Sequence, residues 1–79
     1  MADVKVFYRR GCPYCKKVFD YLETSSLSFK KYNIQKEANE RLVRTKLGSS
    51  MVPAVYFPRE DLWMQESDDI IEKLKRTKA

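Results

Sequence analysis

The sequence predicts an α/β fold in which three helices flank a mixed four-stranded sheet, in the order β-α-β-α-β-β-α. Short apolar and aromatic runs alternate along the chain with stretches of helical periodicity, which predicts strands separated by helices. Such an alternation is typical of parallel strands, because a parallel connection needs a crossover. The last two apolar runs are separated only by residues 58–61, which indicates an antiparallel hairpin. The 79 residues are expected to form one domain, 1–79.

The first strand and the first helix are predicted over Val4–Tyr8 and over residues 13 to about 25. The strand is an apolar run with β-branched residues. Pro13 suits the first position of the helix, because the N–H that it lacks has no helical partner there. Apolar residues then recur at helical spacing and predict the buried face of the helix: Cys15, Val18, Phe19 and Leu22.

The second strand and the second helix are predicted over residues 29–34 and over Glu37–Leu47. Aromatic and apolar residues at positions 29, 32 and 34 indicate the strand. In the helix, two acidic residues each precede an arginine by four positions, the order that stabilises a helix: Glu37–Arg41 and Glu40–Arg44. Gly48 is expected to end this helix, because glycine readily adopts the left-handed conformation of a helix end.

The remaining elements are two short strands, Ala54–Phe57 and Leu62–Met64, and a third helix over residues 68 to about 75. Ser67 is the predicted N-cap of this helix. The two acidic residues that follow suit the positive end of the helix dipole, and basic residues suit its negative end.

Composition excludes several classes of protein. The chain carries 16 Lys and Arg against 11 Asp and Glu, a net charge of +5, but its basic residues are scattered and often pair with acids, so a nucleic-acid partner is not expected. No apolar run approaches the roughly 20 residues of a membrane span, and no secretory leader is recognised, so no membrane association and a cytoplasmic location are expected. Without histidine, and with only two cysteines, one chain cannot complete a tetrahedral zinc site, so no metal is expected.

The two cysteines, Cys12 and Cys15, carry the strongest functional signal. They are too close in sequence to staple a fold, and in a reducing compartment an isolated C-x-x-C pair is typical of redox chemistry. Cys12 lies at the predicted start of the first helix, where free N–H groups and the helix dipole favour a thiolate, the form that attacks disulfides. Cys15 lies one helical turn further on, within reach to resolve a mixed disulfide.

Basic residues bracket this cysteine pair: Arg9, Arg10, Lys16 and Lys17. They are expected to favour the thiolate form of Cys12 and to attract anionic substrates. Lys17 is the exception, because it is expected to belong to the solvated surface, together with the lysines near the C-terminus.

One segment of the chain resembles the active-site segment of the glutaredoxin family: Tyr8-Arg9-Arg10-Gly11-Cys12-Pro13-Tyr14-Cys15. The resemblance extends along nearly the whole chain and implies a minimal thioredoxin fold. Val52-Pro53 matches a Val-Pro pair whose proline is cis in that fold, and Ser67-Asp68 matches the start of the last helix.

Two positions depart from the glutaredoxin pattern. Met51 stands where the family usually has threonine, and Gln65-Glu66 stands where it usually has a Gly-Gly pair. The pair Glu66-Ser67 instead resembles the Glu-Ser element with which glutathione transferase N-terminal domains hold the γ-glutamyl end of glutathione. The resemblance therefore implies that one glutathione site has been exchanged for another.

The glutaredoxin resemblance implies that glutathione is a co-substrate and that no cofactor is bound permanently. It assigns glutathione contacts to seven residues: Arg9, Tyr14, Val52, Pro53, Glu66, Ser67 and Asp68. In this assignment the Tyr14 ring packs on glutathione, and the Val52 backbone pairs with the cysteinyl residue of glutathione. Trp63 is expected to pack in the sheet rather than to contact a ligand.

The two charged ends of glutathione are assigned to different parts of the chain. The γ-glutamyl ammonium is expected to meet Asp68 or Glu66. The glycyl carboxylate is expected to meet Arg9, together with Arg41 or Arg44 from the second helix.

The predicted function is that of a glutathione-linked thiol–disulfide oxidoreductase, a monomer that acts in cell redox homeostasis. Cys12 attacks a protein disulfide or a glutathionylated protein, and Cys15 or glutathione resolves the mixed disulfide. Two alternatives stay open. The protein can be a dedicated electron donor, for example to ribonucleotide reductase, that is recharged by a thioredoxin reductase. It can also be a dimer that bridges an iron–sulfur cluster with one cysteine from each chain and two glutathiones.

Overall fold

A computed structural model describes residues 2–77 of the chain, and its elements follow the predicted order. They are β1 (Val4–Tyr8), α1 (Pro13–Thr24), β2 (Phe29–Asn33), α2 (Glu37–Leu47), β3 (Ala54–Phe57), β4 (Leu62–Met64) and α3 (Ser67–Arg76). Positions 1, 78 and 79 of the predicted domain lie outside the described residues. The longest described helix, α1, has 12 residues, and no described helix has the length and hydrophobicity needed to cross a bilayer.

The four strands form one mixed sheet in the order β2-β1-β3-β4. β1 pairs in parallel with β2, and β3 runs antiparallel to both β1 and β4. This arrangement confirms the predicted mixed sheet with three helices, which is a minimal thioredoxin fold. β1 is an inner strand, and the chain leaves it at Tyr8, shortly before the two cysteines.

Two hydrophobic clusters cover the two faces of the sheet. The larger cluster lies between the sheet and helices α1 and α3, and its buried members include Val6, Val18, Leu22, Ile70 and Leu74. The smaller cluster lies under α2 and consists of Phe7, Ile34, Val43 and Ala54. Because Val6 and Phe7 are neighbours on β1, their side chains point to opposite faces, so this strand anchors both clusters.

Four aromatic rings form a row on the α2 face of the sheet. The ring centroid of Phe7 lies 5.0 Å from that of Tyr32 and 5.3 Å from that of Trp63, and the Trp63 ring lies 4.8 Å from that of Tyr56. Ala54 pairs with Phe7 on the intervening strand, and its small side chain leaves room for the Trp63 ring to reach Phe7. Trp63 thus packs in the sheet, as predicted.

Most predicted boundaries lie close to the observed ones. α1 ends at Thr24, and β2 ends one residue before its predicted end, although the N–H of residue 34 still donates to the carbonyl of Tyr8 at 2.8 Å. Gly48 ends α2 with a left-handed φ of 80°, as predicted. The two predicted acid–arginine pairs of α2 also form.

The predicted N-cap of the third helix is wrong. α3 begins at Ser67, and Glu66 is its N-cap residue, without a side-chain capping hydrogen bond. The Glu66 carbonyl already accepts a hydrogen bond from the Ile70 N–H at 2.8 Å, so the first helical turn closes one residue earlier than predicted. Ser67 is therefore a residue of the first turn, not the residue that precedes it.

Truncation of Leu22 tests the core between the sheet and α1. Leu22 is 1% exposed, so Leu22→Ala is expected to lower the free energy of unfolding by about 3 kcal/mol, because buried surface is lost and a cavity remains. Leu42→Ala is the matched control, since the same truncation at a residue that is 40% exposed is expected to cost less than about 1 kcal/mol. Urea denaturation followed by circular dichroism measures both losses. Equal losses would contradict the assigned core.

Candidate active site

A tight turn brings Cys12 from the end of β1 to the start of α1. The Cys12 N–H donates to the Arg9 carbonyl at 3.3 Å, and Gly11 has a left-handed φ of 79°, which residues with a side chain rarely adopt. Cys12 is itself the N-cap of α1, and Pro13 occupies the start of the helix, as predicted. The cysteine pair therefore lies between the end of an inner strand and the beginning of a helix.

The sulfur of Cys12 lies where negative charge is stabilised. Its Sγ accepts a hydrogen bond from the Cys15 N–H at 3.3 Å, and this N–H is one of those that a helix start leaves without a main-chain partner. The dipole of α1 adds positive potential at the same end. Cys12 is also partly exposed, so another molecule can reach its sulfur.

Cys15 is a buried thiol on the inner face of α1. It is 2% exposed and lies on the same face of α1 as Val18 and Leu22, the other two buried residues of this helix. The pKa of Cys15 is raised from 9.0 to about 12, first because burial disfavours the charged thiolate and then because of hydrogen bonding and charge interaction with the Cys12 side chain. Both cysteines are free thiols, so the structure is that of the reduced pair. At neutral pH, Cys15 is therefore protonated and shielded.

The segment before β3 lies against the Cys12 sulfur. The Val52–Pro53 peptide bond is cis, as the resemblance implied, and Pro53 is buried. The Cys12 thiol donates to the Val52 carbonyl across 3.9 Å, so the Val52 backbone borders the sulfur. Tyr14, two residues after Cys12, is 59% exposed, and Met51, which directly precedes Val52, is 62% exposed. The site therefore offers another chain a main-chain edge with exposed apolar side chains near it.

Gln65 holds this segment in place, a role that the sequence pattern did not predict. Its side-chain amide donates to the Ser49 hydroxyl at 2.9 Å and to the Ser49 carbonyl at 3.3 Å, and it lies 3.5 Å from the Met51 carbonyl. No hydrogen bond joins the main chain of residues 49–52 to the main chain of another described residue, so side chains supply the hydrogen bonds of this segment. The only signal in the sequence was an amide side chain at a position where the glutaredoxin pattern has glycine.

The start of α3 approaches α1 through an ion pair. Asp68 lies 3.4 Å from the Lys17 ammonium, so the carboxylate assigned to the γ-glutamyl ammonium already has a cationic partner. The Lys17 side chain is 53% exposed, as expected for the surface, but its pairing with α3 was not predicted. Glu66 is exposed, and Ser67 is partly buried beside it.

The arginines assigned to the glycyl carboxylate lie in two different places. Arg41 and Arg44 pair with acids of their own helix, at 2.6 Å and 3.5 Å respectively. Arg9 lies on the exposed turn before Cys12 and lines a groove that Cys12 and Cys15 also line. Of the three arginines, Arg9 is therefore the one that the structure places beside the cysteine pair.

This groove has a volume of about 670 Å³. The rings of Tyr8 and Phe19 line it and meet edge to face, with their centroids 5.3 Å apart. Its charged lining residues are Arg9, Arg10, Lys16, Asp20, Glu23 and Lys31. No residue of 49–53 or 65–68 lines the groove, so Cys12 separates two surfaces, one formed by the groove and the other by the Val52 segment.

The arrangement suits the exchange of disulfides. An accessible sulfur lies at a helix N-terminus, and a second thiol lies one turn away. Within the described residues, no three His, Cys, Asp or Glu side chains are grouped so that they could hold a metal ion. A cysteine pair in this setting, on a thioredoxin-like fold, defines the class of the protein as a thiol–disulfide oxidoreductase.

Comparisons with known proteins agree with this class. The family model described as Glutaredoxin matches residues 4–62, and the chain therefore belongs to the glutaredoxin family. No curated protein sequence matches the chain.

Several solved structures are similar to the chain. The thioredoxin-like protein BC3987 has a TM-score of 0.75 and 22% identity, over 92% of this chain and 96% of that chain. The glutaredoxin (grx-1) from Archaeoglobus fulgidus has a TM-score of 0.75 and 28% identity, over 96% and 85%. A buckwheat glutaredoxin–glutathione complex has a TM-score of 0.74 and 18% identity, over 95% and 70%. The first and third similarities show a shared fold.

Alkylation distinguishes the two thiols. Iodoacetamide at neutral pH is expected to modify Cys12 and to leave Cys15 unmodified, because Cys15 is buried and its pKa is about 12. Modification of Cys15 is expected to accelerate as the pH rises toward 12, since its thiolate fraction then increases. Mass spectrometry of peptide fragments measures both reactions, and alkylation in guanidinium is the control in which both thiols react. Faster modification of Cys15 than of Cys12 in the folded protein would contradict the assignment.

Removal of the Gln65 amide tests its hold on residues 49–52. Gln65→Ala is expected to lower the free energy of unfolding by about 1 kcal/mol and to speed thermolysin cleavage before Met51 and Val52, because the segment loses its side-chain hydrogen bonds. Gln35→Ala is the matched control, since the Gln35 Oε1 accepts a hydrogen bond from the Asn33 side-chain amide at 3.1 Å in the turn before α2. An unchanged rate of cleavage within residues 49–52 in Gln65→Ala would show that packing alone holds the segment.

Proposed function

We propose that this chain is a glutathione-linked thiol–disulfide oxidoreductase that reduces glutathione mixed disulfides and protein disulfides. The observation that carries the proposal is the position of the Cys12 sulfur, between the Cys15 N–H and the Val52 carbonyl. A glutathione cysteinyl residue that pairs with the Val52 backbone brings its own sulfur next to that of Cys12. The similarity to a glutaredoxin solved with glutathione supports this choice of co-substrate.

Reduction of a glutathionylated protein needs only Cys12. The Cys12 thiolate attacks the glutathione sulfur, the bond between glutathione and the protein breaks, and the protein cysteine leaves as a thiolate that takes up a proton. A free glutathione thiolate then attacks the glutathionyl sulfur on Cys12. This second step releases glutathione disulfide and restores the Cys12 thiolate, so the electrons for the protein thiol come from glutathione.

Reduction of a protein disulfide also needs Cys15. The Cys12 thiolate attacks one protein sulfur, and the other leaves as a thiolate that takes up a proton. Cys15 then loses its proton and attacks the Cys12 sulfur, which frees the second protein thiol and forms the Cys12–Cys15 disulfide. Two glutathiones reduce this disulfide and become glutathione disulfide. The Cys12 side chain contributes to the raised pKa of Cys15. When Cys12 becomes part of a mixed disulfide, this contribution is lost, so Cys15 is easier to deprotonate when it attacks the Cys12 sulfur.

The remaining contacts to glutathione follow from the placement of the charged and apolar side chains. Asp68 is assigned to the γ-glutamyl ammonium, which must share this carboxylate with Lys17 at 3.4 Å. The free N–H groups at the start of α3, around Ser67, suit the γ-glutamyl carboxylate. Arg9 is assigned to the glycyl carboxylate, and the exposed ring of Tyr14 to the apolar stem of glutathione. We also propose that the protein acts as a monomer in the cytoplasm, where glutathione keeps thiols reduced.

One observation favours a second candidate function, that of an electron donor recharged by a thioredoxin reductase. Asp68 already pairs with the Lys17 ammonium at 3.4 Å, so the γ-glutamyl ammonium of glutathione competes with Lys17 for this exposed carboxylate. If glutathione binds weakly for this reason, the Cys12–Cys15 disulfide is reduced by a thioredoxin reductase instead, because that enzyme acts on the disulfide without a bound glutathione.

Titration of the oxidised protein with glutathione tests which candidate is correct. We expect reduction of the Cys12–Cys15 disulfide at ratios near the cytosolic glutathione poise, roughly −220 to −260 mV, through an adduct on Cys12. Mass spectrometry of acid-quenched samples detects the adduct and the reduced pair. Reduction by NADPH and thioredoxin reductase, with none by glutathione, would refute the glutathione-linked function and support the donor.

Two serine variants separate the steps of the proposed reaction and serve as each other's control. Cys12→Ser is expected to lose activity on glutathionylated and disulfide-containing peptides alike. Cys15→Ser is expected to keep activity on glutathionylated peptides and to lose it on peptides with an internal disulfide, because only the second reaction needs a resolving thiol. A Cys12→Ser variant with full activity would rule out the mechanism.

A further inference from the structure

The groove beside the cysteines is almost unused by the proposed contacts to glutathione. Of the residues assigned to glutathione, only Arg9 lines it. Its volume of about 670 Å³ can hold several side chains of another molecule. Cys12 borders the groove. When a cysteine of a substrate protein reacts at Cys12, the residues on either side of that cysteine therefore lie at the entrance of the groove.

Little negative charge remains free in the groove. Asp20 lies 2.8 Å from the Lys16 ammonium, and this pair is neutral as a unit. Glu23 is the other acidic side chain that lines the groove, and it forms no ion pair with a described residue.

Three basic side chains line the groove without an acidic partner in the described part of the chain, and two of them, Arg10 and Lys31, have no role in the proposed contacts to glutathione. Arg9, Arg10 and Lys31 are exposed, and none forms an ion pair with a carboxylate of residues 2–77. The Lys31 ammonium lies 5.1 Å from the centroid of the Phe19 ring, which keeps the charge above the aromatic lining of the groove. With Glu23 as the only unpaired acid among the lining residues, positive charge exceeds negative charge in the groove.

We propose that this groove binds the protein half of the substrate and selects cysteines that have acidic neighbours. The proposal rests on the proposed function, in which a protein sulfur leaves or is attacked next to Cys12. Acidic side chains on either side of that sulfur meet Arg10 and Lys31, and an apolar neighbour meets the Tyr8 and Phe19 rings. A segment with basic neighbours brings like charges together and is rejected.

Charge reversal inside and outside the groove tests this proposal. Lys31→Glu and Arg10→Glu each reverse one charge of the groove, on two different parts of the chain. Lys46→Glu is the matched control, because it makes the same change in net charge on α2, outside this groove. The substrates are two peptides with one cysteine, flanked by Asp and Glu in the first and by Lys in the second. Each peptide is prepared both as a glutathione mixed disulfide and as a symmetrical peptide disulfide.

The wild-type protein is expected to react about tenfold faster with the acidic peptide at low salt, and the preference is expected to shrink as salt is added. Lys31→Glu and Arg10→Glu are expected to lose this preference, and Lys46→Glu to keep it. Equal rates on the two peptides in the wild type, or an equal effect of Lys46→Glu, would overturn the proposal, because net charge would then set the rate.

The symmetrical disulfides contain no glutathione and separate this proposal from the proposed function. A preference for the acidic symmetrical disulfide, without activity on either glutathione mixed disulfide, would support the groove and refute the glutathione-linked function. Equal rates on the two glutathione mixed disulfides would support the glutathione-linked function and refute the selection of acidic neighbours by the groove.

Discussion

The hydrogen bond from the start of α1 to the Cys12 sulfur is the interaction on which the site depends. The sulfur occupies the position of an N-cap acceptor, so one contact both begins the helix and stabilises negative charge on the nucleophile. The contact exists only because β1 delivers the chain to this point and Gly11 permits the turn. The geometry of the reactive thiol is therefore a consequence of the fold, and no additional residue is needed to create it.

The hydrophobic core sets the order in which the two thiols react. Cys15 lies on the face of α1 that packs against the sheet, so the burial that stabilises the fold also keeps this thiol protonated. Cys12, three residues earlier, lies at the helix end and remains partly exposed. Cys12 is therefore the accessible nucleophile, and Cys15, one helical turn away, reacts only after a mixed disulfide has formed on Cys12. The Val52 segment completes the arrangement from the other side, held by Gln65 and by the buried Pro53.

Local patterns were enough to predict the elements and the cysteine pair, because apolar periodicity, turns and a four-residue motif are all short-range signals. The cis Val52–Pro53 bond came only from the resemblance to glutaredoxins, since nothing in the local sequence distinguishes it from a trans bond. The contacts of Gln65 with Ser49 and the Lys17–Asp68 pair were missed. Each joins residues that are distant in sequence and that only the tertiary fold brings together. The groove was missed for the same reason, because β1, α1 and β2 all contribute to it. The error at Ser67 was smaller, because the same end of the helix was predicted one residue too late.

The row of rings on the α2 face also has an optical consequence. Trp63 is the only tryptophan of the chain, and its indole contacts Phe7 and Tyr56 on the face of the sheet opposite to α1. The buried thiol of Cys15 belongs to the other face. Tryptophan fluorescence therefore reports on the packing of the rings on the α2 face of the sheet.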